Sequence, residues 1–241
     1  MVSLCVSETS TINGQVAIMG FDFDYMLSLM PILMKYLGTT LSMAVWGLGF
    51  ALIIAITLAL VRVYKLPVLN QLSQLYISFF RGTPLLVQLF LLYYGLPQVF
   101  PIFIGLDAFS AAVIGLSLHF AAYMAESIRA AIIGVDRCQR EASLAIGMTE
   151  MQAMRRIILP QATRIALPSL MNYFIDMIKS TSLAFTLGVA EIMAKAQMEA
   201  SSSFKFFEAF LAVAFIYWGL VLVLTQVQNW AEAKLNKAYV R

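Results

Sequence analysis

The sequence predicts an all-α protein that crosses a membrane about five times, and three observations carry that reading. Of 241 residues, 61% are hydrophobic and only 12% charged, with a mean hydropathy of +0.83. A soluble domain of this length needs far more polar surface. The apolar residues fall into stretches of about 20, the number a helix needs to cross a hydrocarbon core. The Lys and Arg residues gather in alternate connections between those stretches, which is the bias of cytoplasmic loops.

Residues 1–36 read as an extracytoplasmic, amphipathic segment. Its first part is polar to mixed, and the opening MVSLCVSETSTINGQ lacks a basic n-region and an A-x-A site, so no removable signal peptide is read there. Over residues 23–35 apolar side chains recur at helical spacing, broken by Pro31, as in a helix lying at a membrane surface. Residues 37–230 form the membrane domain. The first span is expected over 39–61. Apolar sequence resumes over 72–100, but Arg81-Gly82-Thr83-Pro84 falls inside it. Pro84 disfavours helical geometry at Thr83 and Gly82 relaxes it further, so a broken helix is expected. The third, fourth and fifth spans are placed at 109–133, 165–187 and 206–227. Residues 231–241 are a tail.

Five spans put the chain ends on opposite sides. Arg62, Lys65, Arg129, Arg137, Arg140, Arg155, Arg156, Arg164, Lys234, Lys237 and Arg241 fall on one side, against Lys35, Lys195 and Lys205 on the other. The positive-inside rule then places the N-terminus outside and the C-terminus in the cytoplasm. Cys5 and Cys138 end up on opposite sides, so neither a disulfide nor a metal site is expected from them.

Between the third and fourth spans lies one charged stretch, EASLAIGMTEMQAMRRIILP. Asp136 followed by Gln139 reads as a capping box, as does Thr149 followed by Gln152. Gly147 suits a left-handed turn between the two helices. Pro160, lacking an N–H, is expected to end the second. Residues 136–160 thus read as a hinged helix pair in the cytoplasm.

At Glu141, Ala142, Gly147, Ile157, Leu159 and Pro160 this pair resembles the EAA loop by which ABC-importer permeases couple to their ATPases, with Ser143 in place of the second alanine. FRGTPLLVQLFLLYYGLPQ, AAYMAESIRAAI and IKSTSLAF resemble the polar amino-acid branch of those permeases, the histidine, glutamine and cystine type. The likeness runs over about residues 37–236. It implies a type I importer fold with cytoplasmic coupling helices, a second permease subunit in a homo- or heterodimer, two ATPase subunits, an external solute-binding protein, and a bacterial inner membrane. ATP and Mg would be bound by the ATPase, leaving no cofactor in this chain. Within the branch the general likeness is to cystine permeases. The chain departs from its relatives at Ser180, where they usually carry Asp or Asn.

The residues themselves argue against an enzyme. There is no G-x-x-x-x-G-K-[ST] to hold nucleotide phosphates. His119 is the single histidine, which excludes H-E-x-x-H and disfavours zinc. The basic residues flank spans, so they carry no nucleic-acid signal. Ionisable groups at membrane depth are costly and are candidates for function. Glu126 follows His119 and Tyr123 on one helix face, with Arg129 three residues on. It forms either an intrahelical ion pair or the acid that meets a substrate ammonium. Asp176 and Lys179 are also three apart, followed by Ser180, Thr181 and Ser182, and they allow the same choice between an internal pair and a water-lined face. Arg81, Gly82, Thr83 and Pro84 form either a simple kink with Arg81 reaching the surface or a break whose following half-helix offers its positive end to a carboxylate. His119 is read as a satisfied interior imidazole, Tyr93, Tyr94 and Trp218 as interface or packing residues, and the methionines as filler. The competing function is a proton-coupled carrier using Glu126 or Asp176; a structural scaffold fits the hydropathy but not the buried charges.

Overall fold

The computed structural model describes residues 21–236. Cys5, the signal-peptide reading of the first residues, Lys237 and Arg241 lie outside them. The described residues form nine helices and a short 3-10 turn, Pro101–Phe103: α1 (Phe23–Met34), α2 (Leu37–Val63), α3 (Pro67–Gly82), α4 (Leu85–Val99), α5 (Ala108–Ile133), α6 (Arg137–Ala145), α7 (Glu150–Leu187), α8 (Ile192–Ser203) and α9 (Phe206–Asn236). Three of them, α2, α5 and the α9 stretch Phe206–Lys234, are long and apolar enough to cross a membrane alone. The bent pairs α3–α4 and α7–α8 raise the number to five.

Asp22 starts α1 by accepting from the Tyr25 amide at 2.8 Å. Met26, Leu29 and Leu33 are buried at helical spacing and pack against Ile192, Ala196 and Ala200 of α8 and Ala209 and Ala212 of α9. Pro31 does not break this helix, contrary to the sequence reading. It sits on the exposed side, so the packed face stays whole while a single backbone bond is lost.

The centre of the bundle is α2 against α5. Gly47, Ala51, Ala55 and Ala59 recur every fourth residue along the buried side of α2, a small-residue seam that lets two helices approach closely. At Gly47 an added Cβ would lie 3.0 Å from the Met177 sulfur of α7. The α5 helix is capped by Asp107, which accepts from the Ser110 amide at 2.9 Å, and it is the most enclosed of the spans.

The break expected at residues 81–84 is present and sharp. Thr83 and Pro84 are extended, at ψ 147 and 138, and α3 and α4 meet at 110°. The second expected helix end is not. Pro160 lies inside α7, which runs unbroken from the charged helix pair into the fourth span. A wide π-turn at Met154–Ile158 precedes it, and such a turn relieves the proline clash and reroutes the missing bond. The Gln161 side chain takes up the Ile157 carbonyl at 3.0 Å. The last turns of α7, Thr181–Leu187, tighten to 3-10 geometry and end at Gly188, φ +93.

Helix α8 was not expected. It buries Ile192, Ala196 and Ala200 and carries a Lys195–Glu199 ion pair at 2.8 Å. A turn through Phe204, φ +58, leads into α9. There the Lys205 ammonium pairs with Asp22 and the Asp22 amide donates to Glu208 at 3.0 Å, joining the start of α1 to the start of α9.

Candidate functional site

The helix pair of residues 136–160 has the local structure its residues dictate. Asp136 caps α6, its carboxylate accepting from the Cys138 amide at 2.9 Å; its partner in the cap is that amide and not Gln139. Gly147 closes α6 at φ +87. Its amide donates to the Leu144 carbonyl at 2.9 Å and the Met148 amide to Ser143 at 3.1 Å, the two bonds of a Schellman turn. Thr149 and Gln152 form the reciprocal capping box at the head of α7. Arg140 reaches across from α6 to Glu150 with two bonds, 2.7 and 3.0 Å, and that carboxylate holds the guanidinium above its usual range. Along the outer side, Glu141, Ala142 and Gly147 are exposed. Ile157 lies within the π-turn and Leu159 follows it, both half-buried, and Ile158 turns into a small core with Ala131, Ile132 and Met154. The pair is therefore a preformed, outward-facing platform, joined to α5 through Gly134 and Val135 and continuous with α7.

A second group of polar residues gathers at the α3–α4 break. Gln88 spans it: its amide nitrogen donates to the Phe80 carbonyl, the Thr83 carbonyl and the Thr83 hydroxyl at 3.0, 3.0 and 2.8 Å. Carbonyls freed by the broken helix are thereby satisfied. The Gln88 oxygen meets His119 Nδ1 at 2.9 Å, which makes Nδ1 the donor and His119 the satisfied imidazole the sequence suggested. Arg81 lies 5.4 Å over the Tyr123 ring, and the Tyr123 hydroxyl points at the Arg81 carbonyl, 3.5 Å away.

Farther along α5, Glu126 is held from two sides. Arg129 donates to it at 2.9 and 3.3 Å, the intrahelical pair that one reading expected. Arg62 of α2 contacts the other carboxylate oxygen. The side chains of Arg62, Glu126 and Arg129 are 19%, 20% and 28% exposed, so this three-membered ion cluster is largely shielded.

The third group stands apart. Lys179 and Asp176 pair at 2.6 Å with about half of each side chain exposed. Ser180, Thr181 and Ser182 each donate to a carbonyl of their own helix, those of Asp176, Ile178 and Lys179, and Thr181 is fully buried. Among the described residues, no hydrogen bond or ion pair joins residues 179–182 to Arg81 or Glu126.

Three residues that this geometry brings forward were passed over in the sequence. Arg62 looked like a flanking charge. Gln88 is the one amide in LLVQLFLLYY. Glu191 is fully buried at the α7–α8 bend, where it caps α8 through the Ala194 amide at 2.7 Å and receives the Tyr217 hydroxyl at 3.4 Å.

Comparison with known proteins adds the following. Residues 47–237 match the family described as binding-protein-dependent transport system inner membrane component. A protein of Vibrio harveyi described as the probable amino-acid ABC transporter permease PatM is 82% identical, over 92% of this chain and all of its own length. The L-cystine transport system permease TcyL of Bacillus subtilis is 39% identical, over 92% of this chain and 94% of its own. Among solved structures, an amino acid ABC transporter with histidines superposes with a TM-score of 0.83 at 34% identity, covering 90% of this chain and 100% of that one. The inward-facing MetNI methionine ABC transporter shares the fold, with a TM-score of 0.69 at 18% identity over 89% of this chain and 99% of its own.

Proposed function

The chain belongs to the family of binding-protein-dependent transport system inner membrane components, and on that footing we propose that it is the permease subunit of an ATP-driven importer for polar amino acids. Named amino-acid permeases align with it over nearly their whole length. Cystine is the substrate we favour within the class, on the likeness to TcyL. The proposed assembly has two ATPases, a second permease in a homo- or heterodimer and an external solute-binding protein, with residues 1–36 outside, 231–241 in the cytoplasm and 37–230 in the inner membrane.

The observation that carries the proposal is the platform built by the exposed Glu141, Ala142, Gly147 and Pro160 with the half-buried Ile157 and Leu159. A helix pair pinned by a Schellman turn, a capping box and the Arg140–Glu150 bridge moves as one body. Because Pro160 does not interrupt α7, a push on the platform passes into the fourth span without a flexible joint, and into the third through two residues. ATP-driven closure of the ATPases would in this way reorient α5 and α7, a rigid-body switch between outward and inward access.

The substrate path is proposed along Arg81, Gly82, Thr83, Pro84, Glu126, Lys179, Ser180, Thr181 and Ser182. The first turn of α4 presents backbone N–H groups beside Arg81, a seat for the amino-acid carboxylate. Glu126 would meet the ammonium, which must displace one of its two guanidiniums. Lys179, half exposed, supplies a further cation. A proton-coupled carrier needs a carboxylate free to load a proton. Glu126 is ion-paired twice and Asp176 once, so that reading is disfavoured.

The test is purification of the tagged chain with its neighbours attached. Recovery of a P-loop ATPase in stoichiometric amount is the expected result. Full transport by a preparation that carries no ATPase would refute the proposal.

A further inference from the structure

Under the spans, on the inner side of the coupling pair, lies a cavity of about 520 Å³. It opens apart from the α3–α4 break, and its Arg62 and Arg129 back onto Glu126. Its walls are the turn after α2, the start of α3, the end of α5 and the α6–α7 pair, and they carry Arg62, Lys65, Arg129, Arg137 and Arg140 against Asp136 and Glu150. The local carboxylates are engaged elsewhere. Glu150 is bound by Arg140, Asp136 caps α6, and Glu126 behind the wall holds Arg62 and Arg129.

Two observations show that part of this positive surplus has no partner among the described residues. Among the described residues, the buried Arg62 Nε has no hydrogen-bond partner, and a buried N–H without an acceptor is costly. Among the same residues, Lys65 and Arg137 at the exposed mouth form no ion pair. Lys65 is moreover held at φ +50, a conformation that a side-chain-bearing residue keeps only where its surroundings impose it.

Helix α3 fixes the depth of the mouth. Asn70 and Gln74 line the cavity. On another face Val68, Leu72, Leu75 and Phe79, spaced i, i+4, i+7 and i+11, are 69%, 57%, 68% and 46% exposed. A helix polar towards a cavity and apolar outward belongs where hydrocarbon meets headgroups.

We propose that this cavity binds a phosphate-bearing anion through Arg62, Lys65 and Arg137. The unpartnered Nε of Arg62, the Arg137 guanidinium and the Lys65 ammonium match the oxygens of a phosphate, and basic pockets at the cytoplasmic ends of spans suit the headgroups of anionic lipids. The same chemistry admits soluble phosphate. With α6 and α7 as one wall, a bound anion ties the coupling pair to the end of α2. The headgroup source rests on the cytoplasmic placement proposed above, whereas anion binding itself is measured on purified protein and does not need it.

The test uses the full chain in neutral detergent, with its thermal midpoint followed by tryptophan fluorescence. Dioctanoyl phosphatidylglycerol, inorganic phosphate and phosphate-free dioctanoylglycerol are titrated in turn. A saturable upward shift with phosphatidylglycerol is expected, at least tenfold weaker in apparent Kd for Lys65→Ala/Arg137→Ala and unchanged for Lys234→Ala. Response to the lipid alone assigns a headgroup and response to inorganic phosphate a soluble anion; each upholds the site. If the double variant does not fold, Lys65→Gln is read the same way, with a several-fold weakening expected. Equal shifts with dioctanoylglycerol, equal affinity in the variants, or carbodiimide crosslinking of Lys65 to a docked ATPase would overturn the inference.

Discussion

Gly147 offers the sharpest test of the coupling platform. Its φ of +87 is left-handed, a region where a side-chain-bearing residue costs roughly 1–2 kcal/mol. An added Cβ meets nothing within 4 Å, so a methyl at this position collides with no part of this chain. Gly147→Ala and Gly147→Trp therefore carry the same backbone penalty and differ only in what they project outward. A penalty of about 1–2 kcal/mol shifts a local equilibrium about 5- to 30-fold, which bounds the loss expected for alanine. Tryptophan should bring uptake below about a tenth of the alanine variant, because its ring occupies the space of a docked ATPase. The assay is ATP-driven amino-acid uptake into vesicles, normalised to the amount of permease in the membrane. Equal uptake by the two variants would show that nothing docks at this turn.

Three other expectations follow from the same geometry. Glu126→Gln and Lys179→Met should each lower amino-acid uptake by roughly tenfold or more, about 1.4 kcal/mol, with assembly intact; a folding defect in Glu126→Gln that Arg129→Met relieves would instead assign Glu126 to structure alone. Cys138 should react with an impermeant maleimide only when the cytoplasmic side is opened, and slowly at neutral pH. The Asp136 carboxylate beside it pushes the thiol up, so the thiolate fraction is small below that raised value and grows as pH increases; Asp136→Asn should speed labelling at pH 7, and no change in rate would contradict the assignment. Glu191→Ala should lower the thermal midpoint by removing the cap of α8, worth about 1 kcal/mol, and by leaving Tyr217 without its acceptor, whereas Glu191→Gln should stay near the parent; equal loss in both would show that charge, not capping, is what matters.

What could be read in the chain divides along physical lines. The spans, the caps at Asp136 and Thr149, the turn at Gly147 and the break before Pro84 are local consequences of hydropathy and backbone chemistry, and each appears where residue type placed it. Pro160 and Pro31 misled because a proline ends a helix only if nothing reroutes its lost bond, and here a π-turn and an outward face do so. Helix α8 was hidden by Glu191, Lys195 and Glu199, which dilute its apolar content while its small buried face of Ile192, Ala196 and Ala200 does the packing. The clasp of Arg62 on Glu126 joins residues on different helices, and spacing along one helix says nothing about it. Gln88 carried a signal in hindsight, since an amide in an apolar half-helix next to a backbone break has freed carbonyls within reach.

The central claim is that this chain moves amino acids by coupling to ATP hydrolysis elsewhere in its assembly. The most direct measurement reconstitutes permease, ATPase and solute-binding protein in sealed vesicles and follows amino-acid accumulation and phosphate release together. The account predicts that amino-acid-loaded binding protein raises hydrolysis several-fold and that accumulation stops when ATP is replaced by ADP. Accumulation driven by a proton gradient alone, with hydrolysis indifferent to the amino acid, would contradict it.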